Sequence, residues 1–151
     1  MKIAFGSDHA GFATKDFLCA KMNERGIEAI DLGPNAPIPV DYPDYAAKVA
    51  KLVAAGGADF GVLVCGTGIG MSIAANKFKG VRAALCLTPE YAQLARRHNN
   101  ANILCTSGRF ITAEQALVIL EQFICTQFDG DTEQGLRHKT RVEKISEIEE
   151  S

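Results

Sequence analysis

The sequence has no CxxC pair, no run of basic residues and no long apolar stretch, and each absence removes a class of function. Its five cysteines, Cys19, Cys65, Cys86, Cys105 and Cys125, are odd in number and widely spaced. That pattern suits neither a disulfide framework nor a zinc knuckle. A reducing, cytoplasmic compartment is therefore expected. The 16 Lys and Arg against 18 Asp and Glu give a formal charge of −2, with no basic cluster to follow a nucleic-acid backbone. No segment reaches the roughly 20 apolar residues that span a bilayer. No membrane partner is therefore expected, and Met1–Gly6 reads as a strand entering a loop, not as a basic segment ahead of an export-type apolar one, so nothing points to export. What remains is an ordinary globular composition, 47% hydrophobic over 151 residues, which is the size of one domain with a real core.

Short apolar runs alternate with longer segments of helical period. Strands are expected over Lys2–Gly6, Ile27–Leu32, Phe60–Cys65, Val81–Leu87 and Asn102–Cys105. The uninterrupted apolar run Phe60–Cys65 suits a strand covered on both faces. Helices are expected over Phe12–Arg25, Pro43–Ala55, Ile69–Phe78 and Glu90–Arg97, then from Thr112 to Gln127, and finally over Arg137–Glu150. Several carry their own boundary signals. Gly26 and the pair Gly56-Gly57 stop two of them, Thr88-Pro89 opens another, and Thr112 with Gln115 has the spacing of a capping box. Gly33–Tyr42, with three prolines, is a loop, and Asp129–Gly135 reads as a mobile polar segment. Repeated β-α units with no internal repeat imply an α/β domain built on a parallel sheet. In such sheets ligands bind beyond the carboxyl ends of the strands, which directs attention to the loops after each strand.

The loop after the third strand is Cys65-Gly66-Thr67-Gly68-Ile69-Gly70. Alternate glycines let the backbone turn tightly and point its N–H groups at one place, and the helix that follows adds the positive end of its dipole. A thiol in such a setting ionises readily and can serve as base or nucleophile; simple packing is its bland alternative. A dinucleotide fingerprint would need its third glycine one residue later and a place after the first strand. The first loop, Ser7-Asp8-His9-Ala10-Gly11, offers a carboxylate and an imidazole for a sugar hydroxyl or a proton, although Asp8 could merely cap the next helix. His98-Asn99-Asn100 follows a helix. Arg109 lies past the fifth strand, and Arg137 and Arg141 share one helical face in a spacing that suits a phosphate or, equally, plain solvent.

Taken together these residues resemble the ribose-5-phosphate isomerase type B family, which includes allose- and galactose-6-phosphate isomerases. The resemblance spans nearly the whole chain. Its carriers are Ile3–Gly11, Asp41-Tyr42-Pro43, Cys65–Gly70, Ala74-Ala75-Asn76-Lys77, His98–Asn102 and Arg137-His138. It implies a Rossmann-like three-layer sandwich with a five-stranded parallel sheet, acting as a homodimer or a dimer of dimers. Active sites would be shared between subunits, the last helix would pack on a neighbour, and no cofactor or metal would be needed. It also implies roles. Asp8 and His9 bind a sugar phosphate, Cys65 accepts the proton, and Gly66, Thr67, Gly68, Ile69 and Gly70 hold the enediolate. His98 opens the sugar ring, and Asn99, Arg109, Arg137 and Arg141 complete substrate and phosphate binding. One branch of the family carries a Glu base where this chain has Met71, which assigns the chain to the cysteine-base branch. The segment ahead of Arg137 is longer than usual, with Asp131-Thr132-Glu133-Gln134 between two glycines. Ribose 5-phosphate and ribulose 5-phosphate are the expected pair. A six-carbon sugar phosphate, a subunit inactive by itself, and a non-catalytic nucleotide- or flavin-binding module are the alternatives.

Overall fold

A computed structural model describes all residues, Met1–Ser151. Five strands form one all-parallel sheet: β1 (Lys2–Ser7), β2 (Glu28–Asp31), β3 (Phe60–Cys65), β4 (Ala83–Leu85) and β5 (Ile103–Ser107), in the order β2-β1-β3-β5-β4. Six helices alternate with and follow them: α1 (Phe12–Glu24), α2 (Tyr42–Ala54), α3 (Ile69–Ala75), α4 (Pro89–Asn99), α5 (Ala113–Cys125) and α6 (Leu136–Glu149). The α/β class and the parallel sheet expected from the sequence are both present.

Side chains alternate across the strands, so each strand feeds two cores. Ile3, Phe5, Val62, Val64 and Leu104 face α1, α4 and α5, where Leu18, Met22, Ala92, Leu120 and Phe123 close a core of 16 buried residues. Ala4, Leu63, Cys65, Ile103 and Cys105 face α2 and α3, where Val49, Val53, Met71 and Ala75 close a second of 13. Met71 is wholly buried there and serves as packing. The expected caps are made: Thr88 Oγ1 accepts from the Tyr91 N–H, and Thr112 and Gln115 bond reciprocally. Lys15 of α1 has no exposed surface and pairs with Asp31 at 2.7 Å and Asp16 at 3.0 Å. At the sheet edge, the Asn76 side-chain amide bonds both the N–H and the C=O of Ala83, as a neighbouring strand would.

Some boundaries differ from those read in the sequence. α3 stops at Ala75 because Lys77 and Phe78 close a tighter turn onto Ala74 and Ala75. β4 is only three residues long, since Asn76 and Asn102 take the polar groups around it. Cys125 is exposed at the end of α5, whereas Cys19, Cys86 and Cys105 are buried. The stretch read as mobile is ordered as two 3₁₀ turns, Asp129–Asp131 and Glu133–Gly135. Thr132 ties them together: its hydroxyl donates to the Asp129 carbonyl and accepts from the Gly135 N–H. A Cβ on Gly135 would lie 1.8 Å from that same carbonyl, so the turn closes only around glycine.

Candidate active site

The loops after β1, β3 and β5 converge at the carboxyl end of the sheet. Gly108 N–H donates to the Cys65 carbonyl (2.8 Å) and Arg109 N–H to that of Gly66 (3.2 Å). Ser107 Oγ bonds the Gly66 carbonyl and accepts from the amides of Arg109 and Phe110. The Arg109 guanidinium lies against Gly66, its Nη1 3.1 Å from where a Cβ would stand. Asp8, nearly buried, spends one carboxylate oxygen on the Gly11 N–H at 3.0 Å, as the capping alternative anticipated; its other oxygen makes no hydrogen bond within the protein. His9 is exposed beside it. The structure therefore brings together Asp8, His9, Cys65, Gly66, Thr67, Gly68, Ile69, Gly70 and Arg109.

Within this cluster the thiol is 5% exposed, and the Gly68 N–H donates to its Sγ at 3.1 Å. Such a bond strengthens when the acceptor is an anion. Gly68 can turn its amide this way because it sits at φ +84°, in the left-handed region. Ile69 N–H is taken by Thr67 Oγ1, and Ser72 N–H by the Gly68 carbonyl. The N–H groups of Gly66, Thr67, Gly70 and Met71 have no acceptor in the protein. Four donors in this loop and the first turn of the helix, next to a sulfur, are left free to bond a negatively charged oxygen. Burial pushes the other core thiols up, Cys19 and Cys86 to about 12 and Cys105 well above the ordinary thiol range.

His98, Asn99, Arg137 and Arg141 are elsewhere. α4 runs back against the strands, so His98 and Asn99 sit at the amino end of the sheet, just before β5 begins. β3 and β5 pair from Gly61↔Ile103 to Cys65↔Ser107. Those four steps, at about 3.3 Å each, put roughly 13 Å between the two ends. The His98 ring stacks on that of His138, centroids 4.2 Å apart and planes 8° from parallel. His138 is the third residue of α6, so the stack anchors the start of that helix, with Arg137 and Arg141, to the end of α4. Asp129 completes the group and accepts from Arg97 through both oxygens, at 3.0 and 3.3 Å from Nε. That Arg97 hydrogen bond holds the Asp129 carboxyl below its ordinary range. Burial, then the nearby charges of His98, Arg137 and Arg141, hold His138 below 6.5. A polar hollow of about 380 Å³ opens here, bordered by Arg97, His98, Arg137 and His138. The ligand atoms of His98, Asp129 and His138 lie within 4.8 Å of one another. Arg97 engages the carboxylate, however, and parallel rings do not aim their nitrogens at one point. The trio is an ion-pair and stacking network, not a metal centre.

Sequence reading passed over three residues of these clusters: Asp129, Ser107 and Tyr42. Asp129 lay in a segment read as mobile, and Ser107 beyond the expected end of β5. Tyr42 stood in view between Asp41 and Pro43 without a role.

One chain thus carries two polar clusters, a thiol with unpaired backbone amides at one end and cationic and imidazole groups at the other. Residues 3–145 match a family model described as Ribose/Galactose Isomerase. The chain is 47% identical over 149 residues to ribose-5-phosphate isomerase B of Escherichia coli, covering 99% of this chain and 97% of that one. Among solved structures it is similar to ribose-5-phosphate isomerase B of Clostridium thermocellum, with a TM-score of 0.94 at 45% identity over 99% and 98% of the two chains. It is similar also to the Mycoplasma genitalium enzyme with bound ribulose-5-phosphate, with a TM-score of 0.93 at 40% identity over 99% and 97%. The chain belongs to the ribose/galactose isomerase family.

Proposed function

We propose that this protein interconverts ribose 5-phosphate and ribulose 5-phosphate, and that each active site is assembled from two copies of the chain. The observation that carries the chemistry is the Gly68 N–H on the Cys65 sulfur, beside four amides that have no other acceptor. With the sugar open, Cys65 as thiolate takes the proton from C2 of the aldose and returns it to C1. The hydroxyl proton on O2 passes to O1, so the atoms balance with no external oxidant or reductant. The enediolate between these steps places negative charge on the oxygens, which the free amides receive. One such donor is worth about 10²–10³ in kcat, so several account for much of the barrier lowering. Asp8 and His9 border the same cluster and suit the sugar hydroxyls.

The second cluster supplies what the first lacks. His98 is suited to protonate the ring oxygen when the furanose opens, and Arg137 and Arg141 to hold the phosphate in forked hydrogen bonds. The separation of about 13 Å along the sheet keeps both clusters from one small sugar on the same chain. A two-fold pair that faces the thiol end of one copy with the imidazole end of the other completes two sites at once. Exposed apolar groups at both ends fit that pairing: Ile69, Ile73 and Phe110 at the thiol end, Leu136, Ile145 and Ile148 along α6. The expectation that the last helix meets a neighbour belongs to the same reading.

The direct test is turnover of both pentose phosphates, with allose 6-phosphate as the six-carbon comparison. Isomerisation of the five-carbon pair that is lost in Cys65→Ala, with ribulose 5-phosphate still bound, is the expected result. Full activity in Cys65→Ala would remove the base from the proposal.

A further inference from the structure

We infer that Tyr42 is a further catalytic residue, its hydroxyl a side-chain donor to the same substrate oxygen that the first amides of α3 receive; this rests on the isomerase reading above. Tyr42 opens α2 and is followed by Pro43, so its backbone is fixed where the long loop after β2 returns to the carboxyl end of the sheet. Its ring lies directly against Gly70. A Cβ built on Gly70 would stand 2.5 Å from Cζ, 2.7 Å from Cε2 and 2.9 Å from Oη. The second position of α3 is therefore glycine because the phenol occupies the space that any side chain would take.

The close approach fixes where the hydroxyl is. Covalent geometry places the Gly70 nitrogen no more than ~5.4 Å from Oη, given that Oη is 2.9 Å from the Cβ position. One oxygen atom fits between them at hydrogen-bond distance from both. The Gly70 N–H has no acceptor in the protein, and Tyr42 Oη makes no hydrogen bond within it. Tyr42 remains 39% exposed even though its ring is held against the loop. Two donors left unpaired at the same spot, one backbone and one side chain, make a pair that a charged oxygen satisfies. A phenol adds what an amide cannot: its O–H can rotate to follow charge as it moves from one enediolate oxygen to the other.

The experiment compares Tyr42→Phe with the parent protein. The variant keeps the ring on Gly70 and removes only the hydroxyl. Turnover of ribose 5-phosphate should fall by about 10²-fold in kcat/KM, about tenfold of it in KM and the rest in kcat, with the thermal midpoint unmoved, as for a hydrogen bond present in the ground state that strengthens as charge develops. A kcat within twofold of the parent overturns the inference. To separate this from failure of the isomerase reading, ribulose 5-phosphate binding is measured by calorimetry in Cys65→Ala with and without Tyr42→Phe. If the parent protein does not isomerise the sugars but the phenylalanine weakens ribulose 5-phosphate binding about tenfold, the contact stands and the reaction is wrong. If binding is unchanged and kcat is unchanged or absent, Tyr42 does not touch the ligand and the inference fails.

Discussion

The thiol of Cys65 and the three glycines after it depend on one another. With Cys65 as the proposed base, its replacement by Ala should cost about 10²–10⁴ in rate; single-turnover assays and circular dichroism should show lost chemistry on an intact fold. Gly68→Ala acts through the backbone. The residue is at φ +84°, and a Cβ would meet the Thr106 carbonyl at 2.9 Å and Leu85 Cδ1 at 2.6 Å. A loss of about 2 kcal/mol or more is expected in urea unfolding, together with lost turnover, because the amide that bonds the sulfur is re-aimed. His138 gives a pH signature. Its folded-state pKa is held below 6.5, so the neutral ring favours folding above about pH 6.5 and that contribution fades as pH falls through the lowered value. Thermal midpoints from pH 7.5 down to 5 should therefore decline less in His138→Gln than in the parent.

Among the elements, α5 tests the sequence reading most simply. Thr112→Ala breaks one half of its capping box and should lower stability by about 1 kcal/mol in chemical denaturation. Lys15 tests a feature that pattern reading does not reveal. Burial opposes its charge, but hydrogen bonds to Asp31 and Asp16, with their charges behind them, outweigh that and hold its pKa above 10.5. Its stabilisation is fully present below about pH 10.5 and is lost as pH rises through the raised value. The stability difference between parent and Lys15→Met should accordingly shrink in strongly alkaline buffer. These cases show what the sequence could and could not disclose. Caps, apolar period and the glycine loop are local, and α5, β3 and the Cys65 cradle were legible because of that. The inward turn of Lys15, the Tyr42 ring on Gly70 and the Asp129–Arg97 pair join residues far apart in sequence. No local pattern marks them. The segment 129–135 misled because its polarity resembles a mobile loop, while its order comes from Thr132 and two buried glycines.

At the scale of the whole molecule, the decisive fact is that the two clusters stand at opposite ends of one sheet. If two copies share each site, a preparation of Cys65→Ala and one of His98→Ala, each inactive, should regain about a quarter of parental activity after subunit exchange. Half of randomly paired dimers would be mixed, and each would hold one intact site. Sedimentation of the exchanged sample checks that pairing has occurred, and no recovery despite exchange would place both groups in one subunit's site. The way such copies can meet is narrowed by Asn76. Its amide occupies the free polar groups of Ala83 at the β4 margin, which shortens the ladder there that a foreign strand could extend. Crowded or freshly made chains are thereby steered away from fibre-like stacking on this side.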